Sequence, residues 1–420
     1  MVDTRPAVPL TNAQLLVVAT RNLLGWGLFL VGALTPVMLL STNPIINAFS
    51  ASHANDEVHG KGWMLVVAWI IFGLTCVGYG FANDLIESLK SSRTIIAYVC
   101  IAVVPTVGII MPSTSAYSVG LLLIVIQVPC AVLSMIATNH LVRAKQKTGR
   151  GSASALFAIG LTVSYLIASQ IAASTTMSTA VTLGAVVSAA VMIFGLLINL
   201  WLKRHPGKPV RHRISRHDKK KLKINYFVRF LITNVIFYTG AYGIQYNLTP
   251  LANANSSKKG VSLDQVVSSS ISLYTVGSLA AILGTVFFLF ATERIERSYL
   301  VGAITFGISS LMIVSLAKAS IFVLVQFISG IGVGITSTTL LVLTITYVPK
   351  KAWRGRAVGL LFASLALAHA AGPIVSHFLI IGANEANFTA LLMTSAIGSC
   401  VTAGILHVTR AKPNDFHVSM

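Results

Sequence analysis

Long apolar runs recur along this chain at a length that matches one crossing of a bilayer, and they limit its fold more than any other feature. Windows of about 19 residues find them near 22–45, 62–82, 94–112, 118–139, 153–173 and 180–202, then near 226–250, 267–291, 299–317, 320–347, 357–381 and 388–408. A helix spanning the hydrocarbon core needs about 20 such residues. Helices also satisfy their own backbone hydrogen bonds, which lipid cannot do for a strand or loop. The 420 residues are therefore filled by twelve helices and short connections, with no room for a sizeable soluble domain. The expected fold is an all-α membrane protein of twelve transmembrane helices in two pseudo-symmetric six-helix bundles.

Only 10% of the residues are charged, yet the net charge is +20, a value that invites nucleic-acid binding. Its distribution points instead to topology. With the amino terminus on the cytoplasmic side, 27 of the 31 Lys and Arg fall on that side, leaving Lys61, Lys258, Lys259 and Lys318 outside. This is the positive-inside bias of membrane proteins. Both termini are expected in the cytoplasm, in a plasma membrane, and the short loops suggest a bacterial inner membrane. The amino-terminal segment is polar and lacks the apolar core of a secretory signal, so the first span is expected to direct its own insertion. The richest basic stretch, Lys203 to Lys223, contains Pro206, Gly207 and Pro209, which stop the preceding helix. It reads as a linker that touches anionic lipid headgroups, each basic side chain there contributing about 1 kcal/mol.

The chain repeats itself. Arg21 and the pair Gly32-Ala33 recur 208 residues later as Arg229 and Gly240-Ala241, Asp84 recurs as Glu293 after 209, and Arg150 recurs as Arg356 after 206. Repeats of this kind are a common construction of transporters. Residues 1–202 are expected to form one half, 203–225 the linker, and 226–420 the other half.

The end of the second span reads Gly80-Phe-Ala-Asn-Asp84-Leu-Ile-Glu87-Ser-Leu-Lys90-Ser-Ser-Arg93. This resembles the signature loop of the major facilitator superfamily, a Gly with an Asp four residues on and a basic turn. Lys90 and Arg93 stand slightly late, and the turn glycine is missing. The second half carries a similar stretch, Glu293-Arg294-Ile-Glu296-Arg297, with Leu289 where the glycine would be. Ser329-Gly330-Ile-Gly332-Val-Gly334, Trp353-Arg354-Gly355-Arg356 and Ala371-Gly372-Pro373 extend the likeness over nearly the whole chain. The resemblance implies a secondary transporter working by alternating access, without a cofactor and as a monomer. It also implies that Asp84 meets the start of span 11 near Gly355 and Arg356, that Glu293 meets the start of span 5 near Gly149 and Arg150, and that these contacts hold the cytoplasmic mouth closed. An acid suits such a place, because the first turn of a helix carries unpaired N–H groups and a partial positive charge.

The resemblance further implies that spans 1, 4, 7 and 10 line a central cavity. Span 7 is the most polar, with Asn234, Tyr238, Tyr242 and Gln245 ahead of Pro250. Asn234, Tyr238 and Gln245 share one helix face. Trp26, Gln127 and Gln326 are the matching candidates in spans 1, 4 and 10. All eleven Asp and Glu fall in loops or termini, so no mid-membrane carboxylate is expected to pair with a cationic substrate. The candidates for proton coupling are Asp84 and the intramembrane histidines His369 and His377, eight residues apart on nearly one face.

No enzyme constellation competes. The Gly-rich pieces lack the Lys-Ser/Thr of a phosphate loop, and the histidines show no metal-ligand spacing. The function expected is proton-coupled efflux of a small amphipathic or neutral compound. Uptake of a neutral sugar or nucleoside, or a transport-inactive sensor on the same fold, are the alternatives.

Overall fold

The computed structural model describes residues 12–42, 45, 63–85, 87–110, 116–143, 147–204, 224–256, 262–292, 295–315, 319–348, 351–380 and 385–408. Twelve long helices run through them. In order they are span 1 (Asn12–Leu39), span 2 (Trp63–Leu85), span 3 (Glu87–Ile110), span 4 (Ala116–Val142), span 5 (Lys147–Ser174) and span 6 (Met177–Arg204). The second set is span 7 (Ile224–Tyr246), span 8 (Leu263–Thr292), span 9 (Ile295–Ser315), span 10 (Ala319–Tyr347), span 11 (Arg354–Ile380) and span 12 (Glu385–Val408). Among the described residues ten of these are long and apolar enough to cross a membrane, and shorter apolar segments, Ile95–Ile109 and Thr389–Ile405, lie in spans 3 and 12.

Most helices begin several residues earlier than their apolar runs, because polar first turns continue the helix beyond the hydrocarbon. Span 1 is displaced most. It starts at Asn12 and ends at Leu39, where Leu40, Ser41 and Thr42 form a closing turn ahead of Pro44. Span 7 also differs from expectation. It stops at Tyr246 rather than at Pro250, and Pro250 sits in the first turn of a short helix, Leu248–Ser256, where its missing N–H costs nothing. Several acids placed in loops by sequence belong to terminal helical turns: Asp84 in span 2, Glu87 in span 3, Asp264 in span 8, Glu296 in span 9 and Glu385 in span 12.

The two sets of six pack alike. Span 1 lies against spans 4, 5 and 6, and span 7 against spans 10, 11 and 12; pairs 2–4, 3–4 and 3–6 recur as 8–10, 9–10 and 9–12. One contact shows the repeat at atomic detail. The Ser188 hydroxyl of span 6 donates to the Gly32 carbonyl at 2.6 Å, and the Ser395 hydroxyl of span 12 donates to the Gly240 carbonyl at 3.2 Å. Gly32 and Gly240 leave room for that approach: a methyl on either would meet span 6 or span 12 at 2.6 and 3.2 Å.

The halves meet along two seams, spans 2 with 11 and spans 5 with 8. The first is a backbone-to-backbone contact between small residues. A methyl on Gly80 would stand 2.5 Å from the Gly355 carbonyl oxygen, one on Gly359 2.5 Å from that of Cys76, and Gly73 faces Ala363 and Ala366. Small residues permit such dispersion-driven packing in lipid, where no hydrophobic force separates helix from solvent. The 5–8 seam is filled by Ala155, Ala158, Ile282 and Val286 with Ile159 and Leu279, and tied by the Thr162 and Ser278 hydroxyls at 3.1 Å.

Candidate functional site: a tyrosine-lined cavity between the two halves

A cavity of about 50 Å³ lies between the halves, room for only a few waters. Met38 and Ser41 of span 1 and Leu161, Thr162 and Tyr165 of span 5 supply one wall. Tyr238, Tyr242, Gln245 and Tyr246 of span 7, Tyr274 of span 8, Val333 and Ser337 of span 10 and His369 of span 11 supply the other. Five tyrosines, one histidine and one amide thus converge, with no Asp, Glu, Lys or Arg in the lining. Several hydroxyls are already engaged. Tyr165 donates to Gln245 Oε1 at 3.3 Å, and Tyr238 shares hydrogens with Ser337 at 2.8 Å and Thr336 at 3.3 Å.

At one end of the bundle Asp84 joins span 2 to span 11. Its carboxylate accepts the Gly355 N–H at 3.1 Å and the Arg356 N–H at 2.8 Å, so the last turn of span 2 caps the amino end of span 11. Arg356 folds back over Phe81 and Trp353, 5.0 and 4.9 Å from their ring centres, with its Nε 4.0 Å from Asp84 Oδ2. Ser154 of span 5 adds a second tie at this end. Its hydroxyl donates to the Thr338 carbonyl of span 10 and accepts the Val342 N–H at 3.3 Å.

Beside the cavity, toward the other end, the halves are joined by aromatic rings. His369 is held between Trp69 of span 2 and Tyr242 of span 7, with ring centres 3.9 and 3.3 Å away and planes within 1° and 16° of parallel. Its Nδ1 lies 3.2 Å from Ser41 Oγ of span 1. Trp69 also donates its indole N–H to the Tyr246 hydroxyl at 3.1 Å. Each of these contacts, except that with Tyr242, joins one half to the other.

Of the residues expected at the site, Tyr238, Tyr242, Gln245 and His369 line the cavity, and Gly80, Asp84 and Arg356 meet where span 2 contacts the start of span 11. The remaining lining candidates sit elsewhere. Trp26 stacks on His140 of span 4 at 3.7 Å. Gln127 is fully buried and turns its amide N–H onto the Leu123 carbonyl of its own helix at 3.0 Å. Asn234 donates to the Ser364 hydroxyl of span 11 at 2.8 Å. Gln326 is buried, and neither of its amide atoms has a hydrogen-bond partner among the described residues. Arg150 lies in the first turn of span 5, its Nε buried and without such a partner, and Arg297 lies in the first turn of span 9. Glu293, Arg294 and the linker 205–223 lie outside the described residues, as do the side chains of Lys90, Arg93 and His377.

Tyr165 and Tyr274 were missed as cavity residues. Each stands beside hydroxyl side chains of its own helix, Thr162 and Ser164 or Ser272 and Thr275, and a phenol placed in mid-membrane usually finds a polar use for its hydroxyl. That signal was available in the sequence. Among the described residues no three of His, Cys, Asp and Glu come together as a metal site would need.

No family model and no curated protein matches this sequence. Solved structures do. The human organic anion transporter MFSD10 is 12% identical, over 95% of this chain and 100% of that one, with a TM-score of 0.66. The nucleoside transporter NupG is 11% identical, over 92% and 100%, at 0.59. A bacterial homologue of the iron transporter ferroportin, in an outward-facing state, is 12% identical over 93% and 98%, at 0.65. At these identities the likeness is one of fold, and it extends over almost the entire chain.

Proposed function

We propose that this chain, which has the fold of major facilitator transporters, is a secondary transporter that moves a small neutral or amphipathic compound outward in exchange for protons. The observation that carries the reading is a cavity between two repeated halves that are joined by different sets of contacts toward the two ends of the bundle. Rocking residues 1–202 against 226–420, with 203–225 as the tether, breaks one set while keeping the other, which is what alternating access requires. The positive-inside bias puts the Asp84 contact on the cytoplasmic side and the His369 contact on the outer side. The protein works as a monomer in a bacterial inner membrane, with the basic linker against anionic headgroups.

His369 supports proton coupling. Its imidazole is a cavity group of the type that carries protons, and it contacts Ser41, Trp69 and Tyr242, so taking up a proton alters both the wall and the contacts between the halves. A second reading, uptake of a neutral solute such as a nucleoside, is favoured by the polar, aromatic face of span 7 and by the fold shared with NupG.

The test is uptake and counterflow of labelled solutes in proteoliposomes, with and without an imposed proton gradient. Flux driven by the gradient supports the exchanger. Flux indifferent to it removes proton coupling, and no flux from a folded preparation for any solute transfers the fold to a sensing role.

A further inference from the structure

We infer that the tyrosine cavity selects an uncharged, planar aromatic or heteroaromatic compound carrying a hydrogen-bond acceptor. This rests on the transport reading above and narrows its substrate class.

Charge decides the first part. A cation entering the cavity finds ring faces but no carboxylate, and the acids in the described helices all stand in terminal turns, in a chain of net charge +20. A cation taken out of water without a counter-charge loses more than surrounding rings return. An anion finds no Lys or Arg in the lining, meets the negative faces of the rings, and lacks a counter-charge whenever His369 is neutral. A neutral molecule meets neither penalty.

Shape and hydrogen bonding decide the second. Tyr238 and Tyr242 sit with ring centres 5.5 Å apart and planes 35° from parallel, and Tyr165 and Tyr274 meet edge-on at 6.5 Å. Rings from both halves therefore border the same space, and once the halves part to enlarge a cavity that now has room for only a few waters, they can take a flat guest by offset stacking or edge contact. Tyr165 and Tyr238 have their hydroxyls engaged. No hydrogen bond joins the Tyr242 or Tyr274 hydroxyl to another described residue, and both residues line the cavity. Two phenol donors thus remain for an acceptor on the guest. A saturated ring or open chain satisfies the donors but forfeits the stacking.

The test measures equilibrium binding to the full-length protein in nanodiscs with matched probes: nicotinamide, its N-methylated cation, its carboxylate counterpart nicotinate, and the saturated cyclohexanecarboxamide, together with uracil and dihydrouracil. The expected result is binding of nicotinamide and uracil at least tenfold tighter than of their charged or saturated partners. Tyr274→Leu then weakens that binding about five- to tenfold, a stacking partner's share, and Tyr274→Phe, which keeps the ring, weakens it less. A charged or saturated member bound as tightly, or no member bound by a folded preparation, overturns the proposal. Counterflow of the same probes separates it from the transport reading. Carriage of a charged probe defeats the substrate class alone, whereas tight binding of the neutral rings without flux defeats transport alone.

Discussion

Replacing Asp84 by Asn removes the charge from the contact between spans 2 and 11 while keeping its shape. In the wild type the carboxylate accepts two N–H groups at the start of span 11, at 3.1 and 2.8 Å, beside the Arg356 guanidinium. Hydrogen bonds to a charged group contribute about 1.5–3 kcal/mol each, against about 0.5–1.5 for neutral ones, and a charge at a helix amino end adds about 0.3–1. Asn is itself a good cap and retains one acceptor, so the net loss is about 1–2 kcal/mol. The closed state of that end then loses roughly five- to thirtyfold in population against the open one. Cys76 reports on this directly. It is fully buried two helical turns from Asp84, its backbone carbonyl facing Gly359 of span 11 and its thiol the Ala131 carbonyl of span 4 at 3.9 Å. In a variant with Cys100, Cys130 and Cys400 replaced by alanine, its alkylation rate by a water-soluble maleimide follows the open fraction. Asp84→Asn should raise that rate by about five- to thirtyfold. An unchanged rate in a folded protein would refute the assignment of Asp84 as a gate contact and leave it a solvated loop charge.

Other outcomes follow from the same geometry. Gly80→Ala places a methyl 2.5 Å from the Gly355 carbonyl, so it should speed Cys76 labelling and lower the melting temperature; unchanged values would mean that the seam is not in close contact. Trp69→Leu removes a stacking partner of His369 and the donor to Tyr246, and should open the other end, seen as faster labelling of a cysteine introduced at Ser41. His369→Gln should abolish gradient-driven flux while sparing counterflow, and retention of both would remove His369 from proton coupling. Ser188→Ala and Ser395→Ala each delete one hydrogen bond of the repeated contact and should each cost about 0.6 kcal/mol, measured by thermal unfolding; a large inequality between them would argue against equivalent roles.

The membrane fold was legible because bilayer thickness leaves an unmistakable length in the sequence, and the repeat was legible because Gly32 and Gly240 must stay small where Ser188 and Ser395 approach. The cavity was legible only in part. Helical spacing tells which residues share a face, not which neighbour that face meets. Asn234 and Tyr238, four residues apart, illustrate the limit: one bonds Ser364 of span 11 and the other Ser337 of span 10. Gln127 bonds a carbonyl of its own helix, a use open to any polar side chain in lipid and invisible to spacing. The aromatic contact around His369 was unreadable for another reason. Ser41, Trp69, Tyr242 and His369 come from four different spans, and nothing local in any of them announces that the rings will stack.

The central claim, that the two ends open alternately around one cavity, is tested most directly by distances between spin labels across each end of the same protein in nanodiscs. One pair, Leu85→Cys with Ile224→Cys, reports on the Asp84 end; the other, Trp63→Cys with Ile374→Cys, reports on the His369 end. All four positions are exposed on the helix surfaces. Alternating access predicts that Asp84→Asn lengthens the first distance and shortens or preserves the second, and that Trp69→Leu does the reverse. Both distances lengthening together, or neither changing while flux persists, would contradict it.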